Sequence, residues 1–352
     1  MFLLSGWKKG DRKSNEGAIK FFLLGVLSAS LILYGFSLIY GLTGQLVFAD
    51  ISTYLLANSL GSSPVLLLSA ILVISGIGFK ISVVPFHSWA PDTYEGAPLP
   101  ITAYLSVSSK ATGFVALIVL LTKVFESSGQ SWGVILAIVA GATMTLGNLV
   151  ALQQTNPVRL LAYSSISQAG FIIAPLAVSG ITGNYQDGIF ASVTYLIIYA
   201  FMNIGAFLSV HLFTNFTNSD NFYDWGGIAK HSPLAGVLTT VFFFSLAGIP
   251  PLGGWFAKFV VFRSLLSTGE IVGTSLAIIG AINAVIALVY YARISKVIWM
   301  DELKNPEEEK IFEFQNPLKV VGAFTVLITF VAGIFPGIFS YLGEVSSIFF
   351  GN

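Results

Sequence analysis

Nine long apolar segments constrain this chain more than any other feature of its sequence. A helix needs about 20 apolar residues to cross the hydrocarbon core of a membrane, and in lipid every backbone polar group must be paired inside the protein. The sequence therefore predicts an all-α polytopic membrane protein with about nine transmembrane helices. They are expected at residues 18–42, 64–88, 101–124, 132–152, 157–180, 188–214, 233–265, 270–297 and 317–346.

The composition supports this fold and excludes several classes of function. Hydrophobic residues make up 55% of the 352 residues and charged residues only 10%, against about 25% charged in soluble domains. The formal net charge is zero, so nucleic-acid binding has no electrostatic support. The chain has no cysteine, which excludes disulfides, iron–sulfur clusters and thiolate metal sites from it.

Two of the nine segments are predicted to be broken at proline. The segment at 233–265 is too long for one straight span and holds two adjacent prolines, Pro250 and Pro251. The segment at 64–88 meets Pro85 near its end. Proline removes a backbone donor and breaks a helix. Broken backbone at membrane depth is tolerated only where it is buried in protein or lines a polar cavity, so both breaks are expected in such places.

Basic residues are distributed unevenly between the two ends of these segments. Twelve lie on the side of the N-terminus and two on the other side. Loops rich in lysine and arginine stay in the cytoplasm, so we expect a cytoplasmic N-terminus and, with an odd number of spans, an external C-terminus. The twelve are Lys8, Lys9, Arg12, Lys13, Lys20, Arg159, Lys230, Arg293, Lys296, Lys304, Lys310 and Lys319, and the two are Lys123 and Arg263.

Three of the 17 basic residues remain deep inside the apolar segments: Lys80, Lys110 and Lys258. A charged lysine at the membrane centre costs roughly 2.5–3.5 kcal/mol on insertion scales, so three in one chain indicate a function. Desolvation disfavours the charged form, which would let such a group exchange protons near neutral pH. The alternative is a lysine near a helix end that extends its ammonium to the lipid headgroups. It stays open above all for Lys258.

Other polar residues are weaker candidates for a functional role than the three lysines. His87 follows the first proline break and could pass protons between a cavity and the cytoplasm, as could His211 in the sixth segment. A lone histidine is more often simply hydrogen-bonded, so the alternative for His87, and still more for His211, is an ordinary hydrogen-bonded histidine. Asp92, Tyr94 and Glu95 lie in a turn rich in proline and glycine, and the two acids are interpreted as helix caps. The fifth segment is unusually polar, which indicates either a hydrated face or hydrogen bonds between helices. Its polar residues are Tyr163, Ser164, Ser165, Ser167 and Gln168.

Three long runs of this sequence, residues 78–110, 147–170 and 246–258, contain most of these polar residues. They closely resemble the antiporter-like membrane subunits of respiratory complex I, and the resemblance extends over nearly the whole chain. The motifs Asp-Thr-Tyr-Glu-Gly-Ala-Pro and Ala-Tyr-Ser-Ser-Ile are most similar to the subunit N (subunit 2) branch of that family. The Mrp-type sodium/proton antiporter subunits are similar but more distant.

The resemblance implies an inverted-repeat fold and a role for each lysine. Each repeat has five helices, one of them broken. In the family, a lysine of the seventh helix is central to proton uptake, a residue of the eighth links two half-channels, and one in the broken twelfth is on the release side. Lys80, Lys110 and Lys258 match these positions in that order, and His87 is a candidate for proton entry.

The chain differs from the family in length. Family members have 14 helices, and the nine segments match the sixth to the fourteenth. A glutamate of the fifth helix, which pairs with the seventh-helix lysine in the family, would lie upstream, so we expect a fragment. On this interpretation residues 1–17 are the cytoplasmic end of a missing helix with its loop, and 18–124 are the remainder of the first repeat. Residues 132–297 are then the second repeat, and 298–352 a cytoplasmic loop and the last transmembrane helix.

The resemblance implies a proton-translocating subunit of an NADH-quinone oxidoreductase, without redox chemistry of its own. NADH, FMN, iron–sulfur clusters and quinone are expected in partner subunits, because no phosphate loop, dinucleotide fingerprint or metal-ligand cluster is visible here. The implied membrane partners are antiporter-like subunits of the M and L types and small subunits of the K and J types. The implied location is the bacterial inner (plasma) membrane. An independent cation/proton antiporter of the Mrp type and a non-transporting assembly subunit stay open as alternatives.

Overall fold

A computed structural model describes residues 1–302 and 316–351 of the chain. In these ranges the backbone forms sixteen α-helices, α1 to α16 in chain order, and no β-strand. Their bounds are α1 Phe2–Ser5, α2 Arg12–Thr43, α3 Phe48–Ala57, α4 Pro64–Ile81, α5 Trp89–Gly96, α6 Leu99–Tyr104, α7 Lys110–Lys123, α8 Gly129–Ala151, α9 Pro157–Thr182, α10 Tyr185–Thr217, α11 Ile228–His231, α12 Pro233–Ala247, α13 Gly253–Ser267, α14 Ile271–Met300, α15 Asn316–Ile334 and α16 Gly337–Gly351.

Eight helical stretches in these ranges are long and apolar enough to cross a membrane. They coincide with eight of the nine predicted segments, which confirms the all-α polytopic fold. The ninth, predicted at 233–265, consists of the two shorter helices α12 and α13, with a turn at residues 248–252 between them. The side of the bundle on which α2 begins is called the near side below, and the opposite side the far side.

Two predicted segments are wrong in their extent, each because of a proline. Helix α4 ends at Ile81 and not at residue 88, since Ser82 adopts a left-handed conformation with φ 59° and Pro85 offers no backbone donor. The segment predicted as one helix over 317–346 divides into α15 and α16 around Pro336. Helix α3, between the first two spans, was not predicted.

Helix α9 lies at the centre of the bundle, and almost all of its residues are buried. It packs closely against α8, where small residues let two backbones approach. A Cβ on Gly147 of α8 would lie only 2.7 Å from the backbone nitrogen of Ser167 of α9. Helices α2, α14 and α15 surround this centre and leave large apolar side chains exposed, as lipid-facing helices do.

The two proline breaks find hydrogen-bond partners inside the protein. At the first break, the backbone nitrogen of Val84 donates to the Thr143 hydroxyl of α8 at 3.0 Å. At the second, the backbone nitrogen of Gly254 donates to the Ser245 hydroxyl at 3.1 Å. Paired backbone groups are the condition for a broken helix at membrane depth. The division of the chain into two repeats stays a prediction, and the unit predicted at 298–352 lies partly outside the described residues.

Candidate functional site

Lys80 lies in the last turn of α4, next to the first break. Its side chain is half-buried and its stem packs on α7, where a Cβ on Gly113 would lie 3.1 Å from its Cγ. Gly113 is one turn after Lys110 on the same helix, so both lysines share one face of α7. The C-terminal end of the α4 dipole favours the positive charge of Lys80.

Lys110 begins α7 directly after a π-helical turn, Leu105–Ser109, a type of turn frequent at functional sites. The side chain is 1% exposed. Its ammonium donates to the carbonyl oxygen of Ser165 at 2.9 Å and to the hydroxyl of the same residue at 2.6 Å. Both acceptors are neutral. The alternative that Lys110 extends to the headgroups does not hold, because its ammonium is fixed to α9.

Buried hydroxyl and amide groups surround Lys110. The Asn203 amide of α10 donates to the Ser106 hydroxyl at 2.7 Å, and Ser106 lies one turn before Lys110. Two phenols, from α5 and α10, lie next to Ser165. Two buried polar atoms here, the Oδ1 of Asn203 and the hydroxyl of Ser109, have no hydrogen-bond partner in the described part of the chain, which is rare in a protein core.

Lys258 lies in the second turn of α13 and is 5% exposed. Its ammonium donates to the carbonyl of Leu246 at 3.1 Å and to that of Ala247 at 2.5 Å. These are the last carbonyls of α12, which the helix break leaves without intrahelical donors. The ring of Phe171 lies 5.4 Å from the Nζ, within cation–π range. The second break thus supplies the acceptors that hold Lys258 inside the protein, and the headgroup alternative does not hold for it either.

Helix α9 connects the sites of the two fully buried lysines. Ser165 accepts from Lys110, and Gln168, three residues further on, donates at 3.2 Å to the Leu246 carbonyl that also accepts from Lys258. Residues three apart on a helix lie on one face. Of the two interpretations of the polar fifth segment, the structure therefore supports hydrogen bonds between helices.

A second set of polar contacts extends from α9 to α8 and α14. The hydroxyls of Ser164 and Tyr291 are hydrogen-bonded to each other. Tyr290 donates to Asn148 at 2.9 Å, and Asn148 donates to Asn283 at 3.0 Å. These asparagines and tyrosines were not among the predicted site residues. Their signal was uncharged polar residues inside apolar segments, which indicates hydrogen bonds between membrane helices.

Five charged side chains form an ion cluster at the near side, where α2, α5 and α9 meet. Arg159 contacts Asp92 at 2.9 Å and Glu95 at 2.7 Å. Lys20 contacts Asp92 at 2.6 Å, and Lys13 contacts Glu95 at 2.7 Å. The interpretation of these acids as helix caps is wrong: α5 has no side-chain cap, because both carboxylates are engaged by cations from the neighbouring helices.

The ion cluster keeps its carboxylates charged. Burial alone would raise the pKa of Asp92, but hydrogen bonds from Lys20 and Arg159 hold it below its ordinary value. Burial of Glu95 is likewise outweighed by Lys13 and Arg159, which lower its pKa. The cluster therefore fastens α5 to the start of α9, and α5 carries the phenol that lies next to Ser165, the Lys110 acceptor.

The two histidines are not joined to the lysine sites by hydrogen bonds in the described residues. His87 is half-buried in the turn between α4 and α5, and its predicted part in proton entry stays a prediction. His211 shares a hydrogen bond of 3.1 Å with Asn215, one turn along α10, which fits the ordinary hydrogen-bonded histidine.

Comparison with known proteins gives consistent matches. A family model described as NADH:quinone oxidoreductase/Mrp antiporter, TM, matches residues 1–286. NADH-quinone oxidoreductase subunit N of Heliobacterium modesticaldum is 37% identical over 348 residues, which are 99% of this chain and 70% of that protein. NAD(P)H-quinone oxidoreductase subunit 2 of a Synechocystis species is 41% identical, over 95% of this chain and 64% of that protein.

A solved structure of respiratory complex I from Thermus thermophilus contains a chain of the same fold. The TM-score between the two chains is 0.76 at 28% sequence identity, and the match covers 97% of this chain and 71% of the other. The chain thus spans between 64% and 71% of the length of these three proteins.

Proposed function

This chain belongs to the NADH:quinone oxidoreductase/Mrp antiporter family of membrane proteins, and on that premise we propose that it is a proton-translocating membrane subunit of an NADH-quinone oxidoreductase of the complex I type. Redox chemistry then takes place in other subunits, which bind NADH, FMN, iron–sulfur clusters and quinone. Antiporter-like subunits of the M and L types and small subunits of the K and J types are its neighbours in the membrane.

The proposed location is the bacterial plasma membrane, with the near side facing the cytoplasm. The excess of basic residues on that side supports this orientation. Two of them, Lys304 and Lys310, lie outside the described residues. The near side also carries the ion cluster, with three cations in contact with two carboxylates, so charge is concentrated where a cytoplasmic surface is proposed.

One observation carries the proposal: two fully buried lysine ammoniums are held only by neutral oxygens among the described residues. Desolvation penalises the charged form of a buried lysine, and the carbonyl and hydroxyl acceptors of Lys110 and Lys258 compensate that penalty only in part. The charged form is therefore less favoured than it is in water, and we propose that an electrostatic change nearby moves a proton on or off either site.

The proposed path follows the order of the lysines. Lys80 takes up a proton at the first break, Lys110 receives it along their shared face of α7, and Lys258 holds it at the second break before release. Between the last two, the Ser165 hydroxyl accepts a proton from Lys110 and releases its own proton to a water molecule, which passes it towards Lys258. Charges repel strongly in a low-dielectric interior, so protonation of one lysine favours the release of a proton from the next.

Replacing Lys110 tests the proposal. In the assembled complex, Lys110→Ala is expected to lower the number of protons moved per electron, because the central site of the path is lost. Lys110→Met, which keeps most of the aliphatic stem, should behave alike. Lys123→Ala is the matched control, since Lys123 ends the same helix away from the path. An unchanged proton-to-electron ratio in both Lys110 variants would exclude the relay role.

A further inference from the structure

A polar crevice opens on the far side of the bundle between α10, α13 and α16. Its volume is about 230 Å³, which is enough for several water molecules at about 30 Å³ each or for one small polar group in their place. Charged and hydroxyl-bearing side chains make up most of its lining. They include Asp187, Arg263, Ser264, Ser267, Glu344 and Ser347.

Arg263 places a positive charge in an apolar stripe of α13. Phe259 lies one turn before it and Leu266 one turn after it, so the three side chains share a face, and all three are exposed at the surface of the bundle. The described residues give Arg263 no ion pair. Because Arg263 lies one turn from the far end of α13, its long side chain can hold the guanidinium at the membrane interface, where lipid phosphates lie.

Glu344 places a negative charge in a similar stripe of α16. Tyr341 lies one turn before it and Ile348 one turn after it, again on one exposed face of the helix. Glu344 also has no ion pair among the described residues. A carboxylate between apolar, lipid-facing side chains is costly unless a cation or a hydrogen-bond donor compensates its charge.

These two opposite charges line the same crevice without forming an ion pair with each other. Asp187 of α10 adds a second carboxylate to the lining. Its side chain accepts a hydrogen bond from the Asn184 amide at 3.0 Å, and an ionised carboxylate has acceptor sites for further donors. A crevice that separates one cation from two carboxylates fits a ligand that carries a charge of each sign.

Apolar surface continues from the crevice towards the membrane centre. Phe259 of α13 and both Ile338 and Tyr341 of α16 are exposed there. Helix α13 runs from the second break to the far side, and the last residue of α16, Gly351, packs on Gln186 at the far end of α10. The charges therefore lie at the outer end of this surface and the apolar side chains at its inner end. A phospholipid has the same order, with a polar headgroup at the interface and acyl chains inside.

We propose that this crevice binds the headgroup of phosphatidylethanolamine from the far leaflet of the membrane. Arg263 donates to the phosphate, for which its planar guanidinium is well suited. Glu344 and Asp187 accept from the primary ammonium, which carries three donors as a lysine does. The quaternary ammonium of phosphatidylcholine has no donor, and phosphatidylglycerol has no cation, so both should bind less tightly. The inference does not rest on the proposed proton path.

Photolabelling of the complete complex in phosphatidylcholine vesicles tests the lipid site. The probe is a trace of phosphatidylethanolamine with a diazirine in one acyl chain, and the reference probe is phosphatidylcholine with the same chain. After irradiation, mass spectrometry measures the label on each helix. The ethanolamine probe should label α13 and α16 about fivefold more than the choline probe, which is the factor for one surface ion pair of about 1 kcal/mol. On the exposed apolar face of α14 the two probes should label equally.

Charge-removing variants assign the preference to the crevice. Arg263→Gln and Glu344→Gln should each bring the ratio of the two labels on α13 and α16 close to the ratio on α14. Lys123→Gln and Glu126→Gln are the matched controls, because they remove the same charges at the far end of α7 and in the turn after it, and they should keep the preference. In the unaltered complex, excess unlabelled phosphatidylethanolamine should displace the probe and the same amount of phosphatidylglycerol should not, which tests the site without any variant.

Three results would overturn the lipid site. Equal labelling of α13 and α16 by the two probes, or equal displacement by phosphatidylglycerol, would show that the crevice does not select an ethanolamine headgroup. Absence of label from both helices would show that another subunit covers the crevice. Proton pumping by the Lys110 variants is measured separately, so failure of the lipid site and failure of the proposed function are distinguishable.

Discussion

Replacing Arg159 by glutamine is expected to loosen α5 from the start of α9. Arg159 makes two ion pairs, at 2.9 Å to Asp92 and at 2.7 Å to Glu95, with side chains 16–30% exposed. Exposed pairs contribute about 0.2–1 kcal/mol each, and removing one partner of a fully buried pair costs about 3–5 kcal/mol. This half-buried site lies between those limits, so we expect a loss of about 2 kcal/mol.

The assay is amide hydrogen exchange of α5 in the intact complex, which reports the free energy of local opening. A loss of about 2 kcal/mol corresponds to a roughly thirtyfold rise in the open population. Lys20→Gln is the matched control, because Lys20 is 42% exposed and pairs with only one of the two carboxylates of α5. That variant should raise exchange by a factor of about two, for about 0.5 kcal/mol. Unchanged exchange in the Arg159 variant would refute the assigned role of the ion cluster.

Three further results are expected. Gly248→Ala should lower the proton-to-electron ratio, because a Cβ there would lie 2.8 Å from the Cδ of Lys258. Gly269→Ala is the control for backbone strain, because Gly269 also has a positive φ but has open space around it. The Gly269 variant should pump normally. Ser165→Ala should slow pumping, because Lys110 keeps its carbonyl acceptor and loses the hydroxyl; full pumping would remove this hydroxyl from the path. The protection of α5 from hydrogen exchange, corrected for intrinsic rates, should be constant above about pH 4, which is the ordinary pKa of carboxyl groups. It should fall as the pH drops through the lowered pKa values of Asp92 and Glu95, because protonation of these carboxylates removes the ion pairs. A loss of protection that begins near pH 7 would contradict this.

Much of the fold could be predicted because the membrane imposes a simple pattern. A span needs a fixed length of apolar sequence, and eight of nine segments match helices of that kind. The two breaks were visible as prolines. The division at Pro336 was missed because the segment stayed apolar on both sides of a single proline. Helix α3 was missed because it has only ten residues, and a transmembrane helix needs about 20.

The lysines of the candidate site could be predicted from charge alone, and their surroundings could not. The acceptors of Lys258 are backbone carbonyls, which no side-chain pattern reveals. The ion cluster joins residues 64 to 82 positions apart in sequence, so its acids looked like local caps. Ser165 was noted only as one of several polar residues of the fifth segment, because its partner Lys110 comes from another helix.

The decisive measurement is the number of protons released per electron by closed vesicles whose complex carries Lys258→Met. This variant keeps an unbranched apolar side chain in the buried site and removes the ammonium held by the carbonyls of Leu246 and Ala247. If buried lysines carry the proton across this subunit, the ratio should fall below that of the unaltered complex and of a Lys123→Met control. A ratio equal to that of the control would show that the proton does not pass through Lys258.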